Sequence, residues 1–257
     1  MGSVHVKTMG AGPDLVLLHG WAMHSGIWDS VCDQLAQDYR LHLVDLPGHG
    51  LSPASESGSL QSMVELVAEI LPDECIVGGW SLGGQVAIEL ALQKPVQIAK
   101  LVLISTTPCF IKREDWLWGM DATILQMFTQ NLAQNYISTI NRFLTLQLNG
   151  SNDSKVVLAS LKKTFFQYSQ PDNAALQAGL DVLLTSDLRK RFGEIKQPVL
   201  LLHGENDVIT HAAAASWMNQ QLPDAKLVLL PNCGHAPFLS FPLQFITHLH
   251  EFRSYSR

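Results

Sequence analysis

Apolar residues fall along this chain in short unbroken runs, and between the runs they recur at helical spacing. Asp14–Leu18, Leu41–Val44, Lys100–Ser105, Pro198–Leu202 and Lys226–Leu230 read as buried strands, and Cys75-Ile76-Val77 as another. Val4–Thr8 alternates apolar with polar and reads as an edge strand. Ile27–Gln37, with His24 and Trp28 assigned to it, Leu60–Leu71, Gln85–Gln93 and His211–Leu222 read as helices. A closing helix carries His248 and His250 as surface residues. Continuous apolar strands alternating with helices predict an α/β fold, with a mostly parallel central sheet flanked by helices.

The rhythm breaks once. After Leu101-Val102-Leu103-Ile104 the next convincing strand begins more than ninety residues on, whereas connections in such folds run about 2–6 residues. The intervening Pro108–Ser186 has Ile124-Met127-Phe128-Leu132 and Tyr136-Ile140-Phe143-Leu144 at helical spacing. It is also rich in aromatics: Phe110, Trp116, Trp118, Phe128, Tyr136, Phe143, Phe165, Phe166 and Tyr168. The expectation is an all-helical lid spanning 108–186, inserted after the strand near residues 100–105 into a core of 1–107 and 187–257. Some of those aromatics hold the lid together; others line an acyl pocket.

Composition narrows the field. With 47% hydrophobic and 16% charged residues the chain can bury a large core, and its net charge of −6 predicts no general attraction to nucleic acid or anionic membrane. No apolar run reaches eighteen residues, so no membrane span is expected, and the N-terminal stretch has no apolar signal region. A cytoplasmic monomer is the expectation. Cys32, Cys75, Cys109 and Cys233 lack metal-ligand spacing and read as reduced, buried thiols, with Cys233 a packing residue despite its position two before His235. Charge is uneven within the insertion. Between Asn141 and Gln170, Arg142, Lys155, Lys162 and Lys163 face Asp153 alone. That is either a solvated helix face or a docking site for an acidic partner.

The chemistry centres on Gly78-Gly79-Trp80-Ser81-Leu82-Gly83-Gly84. Strand, Gly-x-Ser-x-Gly, helix is the layout that holds a serine in a strained turn at a sheet edge, with helix amides aimed at developing negative charge. Two further strand ends supply partners. His203-Gly204-Glu205-Asn206-Asp207 follows one strand, with Asp207 the candidate acid and Glu205 its competitor; Cys233-Gly234-His235 follows the last, with His235 the candidate base. The order Ser81, Asp207, His235 is that of α/β-hydrolases. Trp21 and Leu82 backbone N–H groups are the candidate oxyanion donors. His19, just before Gly20, reads equally as a turn histidine, and Asp45 as a turn-forming carboxylate.

From end to end the chain resembles the α/β-hydrolase superfamily. Within it the resemblance is to the pimeloyl-[acyl-carrier protein] methyl ester esterases, the carboxylesterases of biotin synthesis. The matching stretches include Leu17-Leu18-His19-Gly20-Trp21, Leu41–Gly48, Gly79–Gly84 and His235-Ala236-Pro237-Phe238. Pro108-Cys109-Phe110, Arg142-Phe143-Leu144, Leu146-Gln147, Leu161-Lys162-Lys163 and Asp187-Leu188-Arg189 carry the narrower likeness.

The resemblance implies a Ser81, Asp207, His235 triad without metal or organic cofactor. It also implies substrate contacts at Trp21, Leu82, Phe143, Leu144, Thr145, Leu146, Gln147 and His235, and docking of an acyl-carrier protein at Arg142 and Lys155. Ser138 and Ala159 stand where well-known members carry arginine. Rival readings are a lidded hydrolase of small free esters or C–C bonds without a carrier, and a catalytically weak binding protein on the same scaffold.

Overall fold

A computed structural model of the chain describes residues 3–55, 57–148, 154–167 and 171–255. Tyr168 and Asp153, named above, lie outside them. The apolar runs form one seven-stranded sheet, ordered β1-β3-β2-β4-β5-β6-β7. Its strands are β1 Val6–Met9, β2 Asp14–Leu18, β3 Arg40–Val44, β4 Cys75–Trp80, β5 Ile98–Ile104, β6 Val199–Gly204 and β7 Ala225–Leu230. Only the β1–β3 pairing is antiparallel, and β1 is the edge strand that its alternation predicted. All six residues of β4 and of β6 are buried, as strands covered on both faces must be.

The chain runs outward from β2 to β3, then returns past β2 to lay down β4, β5, β6 and β7 in order. The loops leaving β2 and β4 therefore diverge at neighbouring strand ends, the crevice where open α/β sheets bind ligands.

Among the helices are α1 Asp29–Leu35, α2 Leu60–Ala68, α3 Leu82–Gln93, α4 Ala122–Gln134, α5 Tyr136–Leu146, α6 Ser154–Phe165, α7 Asn173–Thr185, α8 Ala212–Gln221, α9 Pro237–Ser240 and α10 Pro242–Arg253. Three departures from expectation have local causes. The helix placed at Ile27–Gln37 is a 3₁₀ turn, Ser25–Trp28, running into α1. His24 stands outside it as the cap, with its ring accepting from the Gly26 N–H. Trp28 is core, buried against Phe238 and Phe245. The helix α2 stops at Ala68, short of the expected Leu71, as the chain approaches Pro72. And α3 begins at Leu82, three residues earlier than its apolar pattern suggested, directly after Ser81.

Between β5 and β6 lie α4, α5, α6 and α7, but this stretch is not helical throughout. Residues 109–120 form isolated bridges, Ile111 with Met120 and Arg113 with Trp116, and the Trp116 indole donates to the Cys109 carbonyl at 2.8 Å. The two ends of the segment meet: Cys109 bridges Asp187, and Leu188 N–H donates to Pro108 O at 2.8 Å. Arg189 ties this base to Asp187 at 2.7 Å and stacks over Trp116.

His248 and His250 are half-buried rather than surface residues. The His250 ring stacks on Tyr39, 5.9 Å between centroids, which covers one of its faces. All four cysteines are free and buried.

Candidate active site

Ser81 sits between the last residue of β4 and the first of α3 at φ 56° and ψ −118°, a conformation that costs a non-glycine residue about 1–3 kcal/mol. The surroundings enforce it. A Cβ on Gly79 would lie 2.3 Å from the Gly83 carbonyl oxygen, and one on Gly83 2.5 Å from the His19 carbonyl, so strand, helix and the loop after β2 meet only because these residues lack side chains. Ser81 N–H donates to Ile104 O at 3.0 Å, while Gly84 N–H and Thr106 Oγ1 donate to Ser81 O at 2.9 and 2.6 Å. Trp80 and Leu82 on either side are buried, and Ser81 alone of the three is half-exposed.

His235 lies on the loop after β7 and is buried. Its Nδ1 stands 2.7 Å from Asp207 Oδ2, a hydrogen bond in which the ring donates. That fixes the tautomer and leaves Nε2 as the accepting nitrogen. The loop is held at two backbone points: His235 N–H donates to Gln147 O at 2.8 Å, and the Trp80 indole donates to His235 O at 2.8 Å. Trp80 is the residue before Ser81, so one side chain joins the serine turn to the histidine loop.

Asp207, just beyond β6, is buried, and Ile209 and Thr210 backbone N–H groups donate to its Oδ1 at 2.8 and 3.0 Å. Burial alone would raise its pKa. The His235 ring beside it and the hydrogen bonds from His203 and His235 outweigh that, and hold the carboxyl well below the usual carboxylate range. Glu205, the competing acid, is exposed.

Trp21 follows Gly20 on the loop after β2, and a Cβ on Gly20 would press within 3.2 Å of Ser81 Cβ. The Trp21 indole donates to Leu176 O on α7 at 2.8 Å. Its ring meets Phe143 and Phe128 edge to face, at centroid distances of 5.0 and 5.4 Å, so the β2 loop, α4, α5 and α7 share one apolar wall.

Of the residues from Phe143 to Gln147, Phe143 lies on that wall and Leu144 is in the core, while Thr145 and Leu146 are exposed. Gln147 is fully buried, and both polar atoms of its side chain lack a hydrogen-bond partner among the described residues. Arg142 and Lys155 are exposed, on α5 and α6. Arg142 lines a cavity of about 610 Å3 between α4 and α5, together with Met127, Phe128 and Leu146.

Two ambiguous residues resolve. His19 is fully buried, its Nδ1 donating to Gly20 O at 2.8 Å and its Nε2 accepting from Leu46 N–H at 2.9 Å, so both nitrogens are committed to the turn. Burial, with His49 nearby, pushes its pKa down to about 3, and the ring is neutral. Asp45 binds the backbone N–H groups of Ser25 and Leu51 at 2.6 and 2.9 Å, as a turn-forming carboxylate does. Cys233 is packed in the core, its thiol pushed up to about 12 by burial. Trp80, Thr106, His203 and Thr210 carry contacts that no short motif marks: Trp80 and Thr106 reach distant backbone carbonyls, and His203 and Thr210 converge on Asp207 only once the loop after β6 has folded.

Comparison with known proteins agrees with this architecture. Residues 13–242 match the family model described as alpha/beta hydrolase fold. A pimeloyl-[acyl-carrier protein] methyl ester esterase of Nitrosomonas europaea is 58% identical over 247 residues, covering 96% of this chain and 98% of the relative. One from Nitrosospira multiformis is 52% identical over 257 residues, covering 97% and 98%. Among solved structures, an esterase from Exiguobacterium antarcticum superposes with a TM-score of 0.89 at 21% identity, covering 98% of this chain and 99% of that one. A bromoperoxidase from Bacillus anthracis reaches 0.92 at 18%, covering 98% and 95%. At such identities these two speak for the fold alone. The full-length likeness to the first two sequences goes further, and with it the chain belongs to the α/β-hydrolase fold family and, within it, to the pimeloyl-[acyl-carrier protein] methyl ester esterases.

Proposed function

We propose that this chain is a serine carboxylesterase that hydrolyses the methyl ester of a pimeloyl chain carried on acyl-carrier protein, giving the free ω-carboxylate and methanol in biotin synthesis. The observation that carries the reading is the buried 2.7 Å hydrogen bond from His235 Nδ1 to Asp207, with the His235 loop pinned by the residue that precedes a strained Ser81.

In this mechanism Asp207 orients His235 and stabilises the imidazolium as it forms. His235 Nε2 takes the Ser81 proton while Oγ attacks the ester carbonyl. The Trp21 and Leu82 amides, on the diverging β2 and β4 loops, donate to the oxyanion, each contributing about 3 kcal/mol. Protonated His235 returns its proton to the departing methoxide, and methanol leaves. Water, deprotonated by the same imidazole, then attacks the acyl-enzyme; the acyl bond to Ser81 Oγ breaks, His235 returns the proton to Oγ, and the acid leaves. Every step uses this chain's own residues, without metal or organic cofactor.

Residues 108–186 act as a lid. Phe143 and Trp21 form the apolar wall for the acyl chain, with Leu144, Thr145, Leu146 and Gln147 on the same stretch, and Arg142 and Lys155 meet acidic side chains of the carrier. The enzyme works as a cytoplasmic monomer and binds no nucleic acid; free buried cysteines suit a reducing compartment. Specificity constants for the pimeloyl-carrier methyl ester and for short free methyl esters test the substrate. A preference of at least tenfold for the carrier-linked ester supports it. Equal values favour a small-ester hydrolase.

A further inference from the structure

The Asp207 oxygen that faces His235 has two more partners, and the mechanism above uses neither. Thr210 Oγ1 lies 2.8 Å from Oδ2 and His203 Nε2 lies 3.2 Å from it, beside His235 Nδ1 at 2.7 Å. All three side chains are buried, so nothing here is screened by solvent.

The contacts can be ordered by distance. His203 Nε2 faces both Thr210 O at 2.7 Å and Asp207 Oδ2 at 3.2 Å, so its proton is shared between them with the carbonyl the nearer, and it closes the loop after β6 onto the strand. That seats Thr210. The threonine hydroxyl has one proton and two acceptors: Asp207 Oδ2 at 2.8 Å and Ser105 O, beyond the end of β5, at 3.0 Å. The carboxylate is the nearer acceptor and, being charged, the stronger. Thr210 Oγ1 is also 3.2 Å from His235 Nδ1, so the hydroxyl sits beside the hydrogen bond between acid and base. Among the other groups packed on His235 are the Trp80 ring and the Gln147 carbonyl, neither of which titrates, and the buried Cys233 thiol near Asp207 is pushed up to about 12 and stays neutral.

We propose that Thr210, seated by His203, is a positioning residue for the ester hydrolysis, its hydroxyl sharing Asp207 Oδ2 with His235 and fixing how the carboxylate meets the imidazole. The inference rests on the roles given above to Ser81, His235 and Asp207. A donor on Oδ2 directs the carboxylate's lone pairs and takes up part of its charge. Without it, the acid is freer to turn and holds the imidazolium more tightly.

Thr210→Val and Thr210→Ser separate this from simple packing, because valine keeps the shape and loses the hydroxyl while serine does the reverse. For Thr210→Val, kcat on a methyl ester falls about tenfold with KM unchanged, and the acid limb of the kcat/KM profile moves up by about half a pH unit. Thr210→Ser stays within about threefold of the wild type, with its acid limb in place. Ser81→Ala, run alongside, tests the underlying assignment. If it retains turnover, both the assignment and the inference fail. If it is inactive while Thr210→Val matches the wild type in kcat and pH profile, the inference alone is overturned. Equal impairment of the valine and serine variants, with the acid limb unmoved in both, also overturns it, since the residue would then act by packing.

Discussion

The Trp80 indole donates to the His235 carbonyl at 2.8 Å, and its ring lies 5.5 Å from the imidazole, centroid to centroid. Residues 155 apart in sequence are thereby fixed to one another, and Trp80 is covalently next to Ser81. The turn that carries Ser81 and the loop that carries His235 are held to one another.

Trp80→Phe removes the N–H and keeps most of the aromatic packing against Phe238. It leaves a buried carbonyl unpaired, for a loss of about 1–3 kcal/mol in stability. Activity on a methyl ester falls about tenfold, chiefly in kcat, because His235 is less firmly placed. Thermal unfolding and steady-state kinetics on the same preparation check both. Unchanged kcat would mean that His235 is placed by Asp207 and Gln147 alone.

His19 makes the fold sensitive to acid. Its folded pKa of about 3 lies below the unfolded value of 6.5, so between these values the unfolded chain binds a proton that the folded chain refuses. Stability is therefore fully present above pH 6.5 and falls as pH drops towards 3, by at most about 1.4 kcal/mol per pH unit from this ring. His19→Gln retains an acceptor for the Leu46 N–H and cannot titrate. Denaturant unfolding at pH 7 and pH 5 will show a shallower loss of stability in the variant than in the wild type. Parallel slopes would place the sensitivity elsewhere, with His49 the next buried ring.

Much of this was legible in the sequence because it was local. Buried strands are written as continuous apolar runs, and the serine turn needs glycines at fixed offsets, so both appear without any knowledge of tertiary contacts. Asp207 and His235 were legible as residues just past strand ends. The rest depends on distance or on the backbone. Trp80 reaches a carbonyl, Thr210 is identified by what converges on Asp207, and residues 109–120 have no period because they pair in isolated bridges. Apolar spacing does not mark the start of the first helix, because His24 caps a 3₁₀ turn there through a ring nitrogen.

Carrier docking is tested through charge. Arg142 and Lys155 are exposed, so they act on encounter and are screened by salt, with a Debye length of about 8 Å at physiological ionic strength. Replacing both with glutamate should lower kcat/KM for the carrier-linked ester about tenfold at low salt, with the loss shrinking as salt rises. A small free ester should turn over as in the wild type. A double variant that handles both substrates normally at low salt removes these residues from the docking site.

The central claim is met most directly by methanol release from the methyl ester of pimeloyl-carrier protein, followed for the wild type, Ser81→Ala, Asp207→Asn and Glu205→Gln. The wild type releases one methanol per ester cleaved, and Ser81→Ala loses turnover. In Asp207→Asn, where the imidazole tautomer is no longer held, kcat falls by about 10³–10⁴, while Glu205→Gln keeps near-normal activity. Turnover that survives Ser81→Ala in folded protein, or an active Asp207→Asn beside an inactive Glu205→Gln, would contradict the claim.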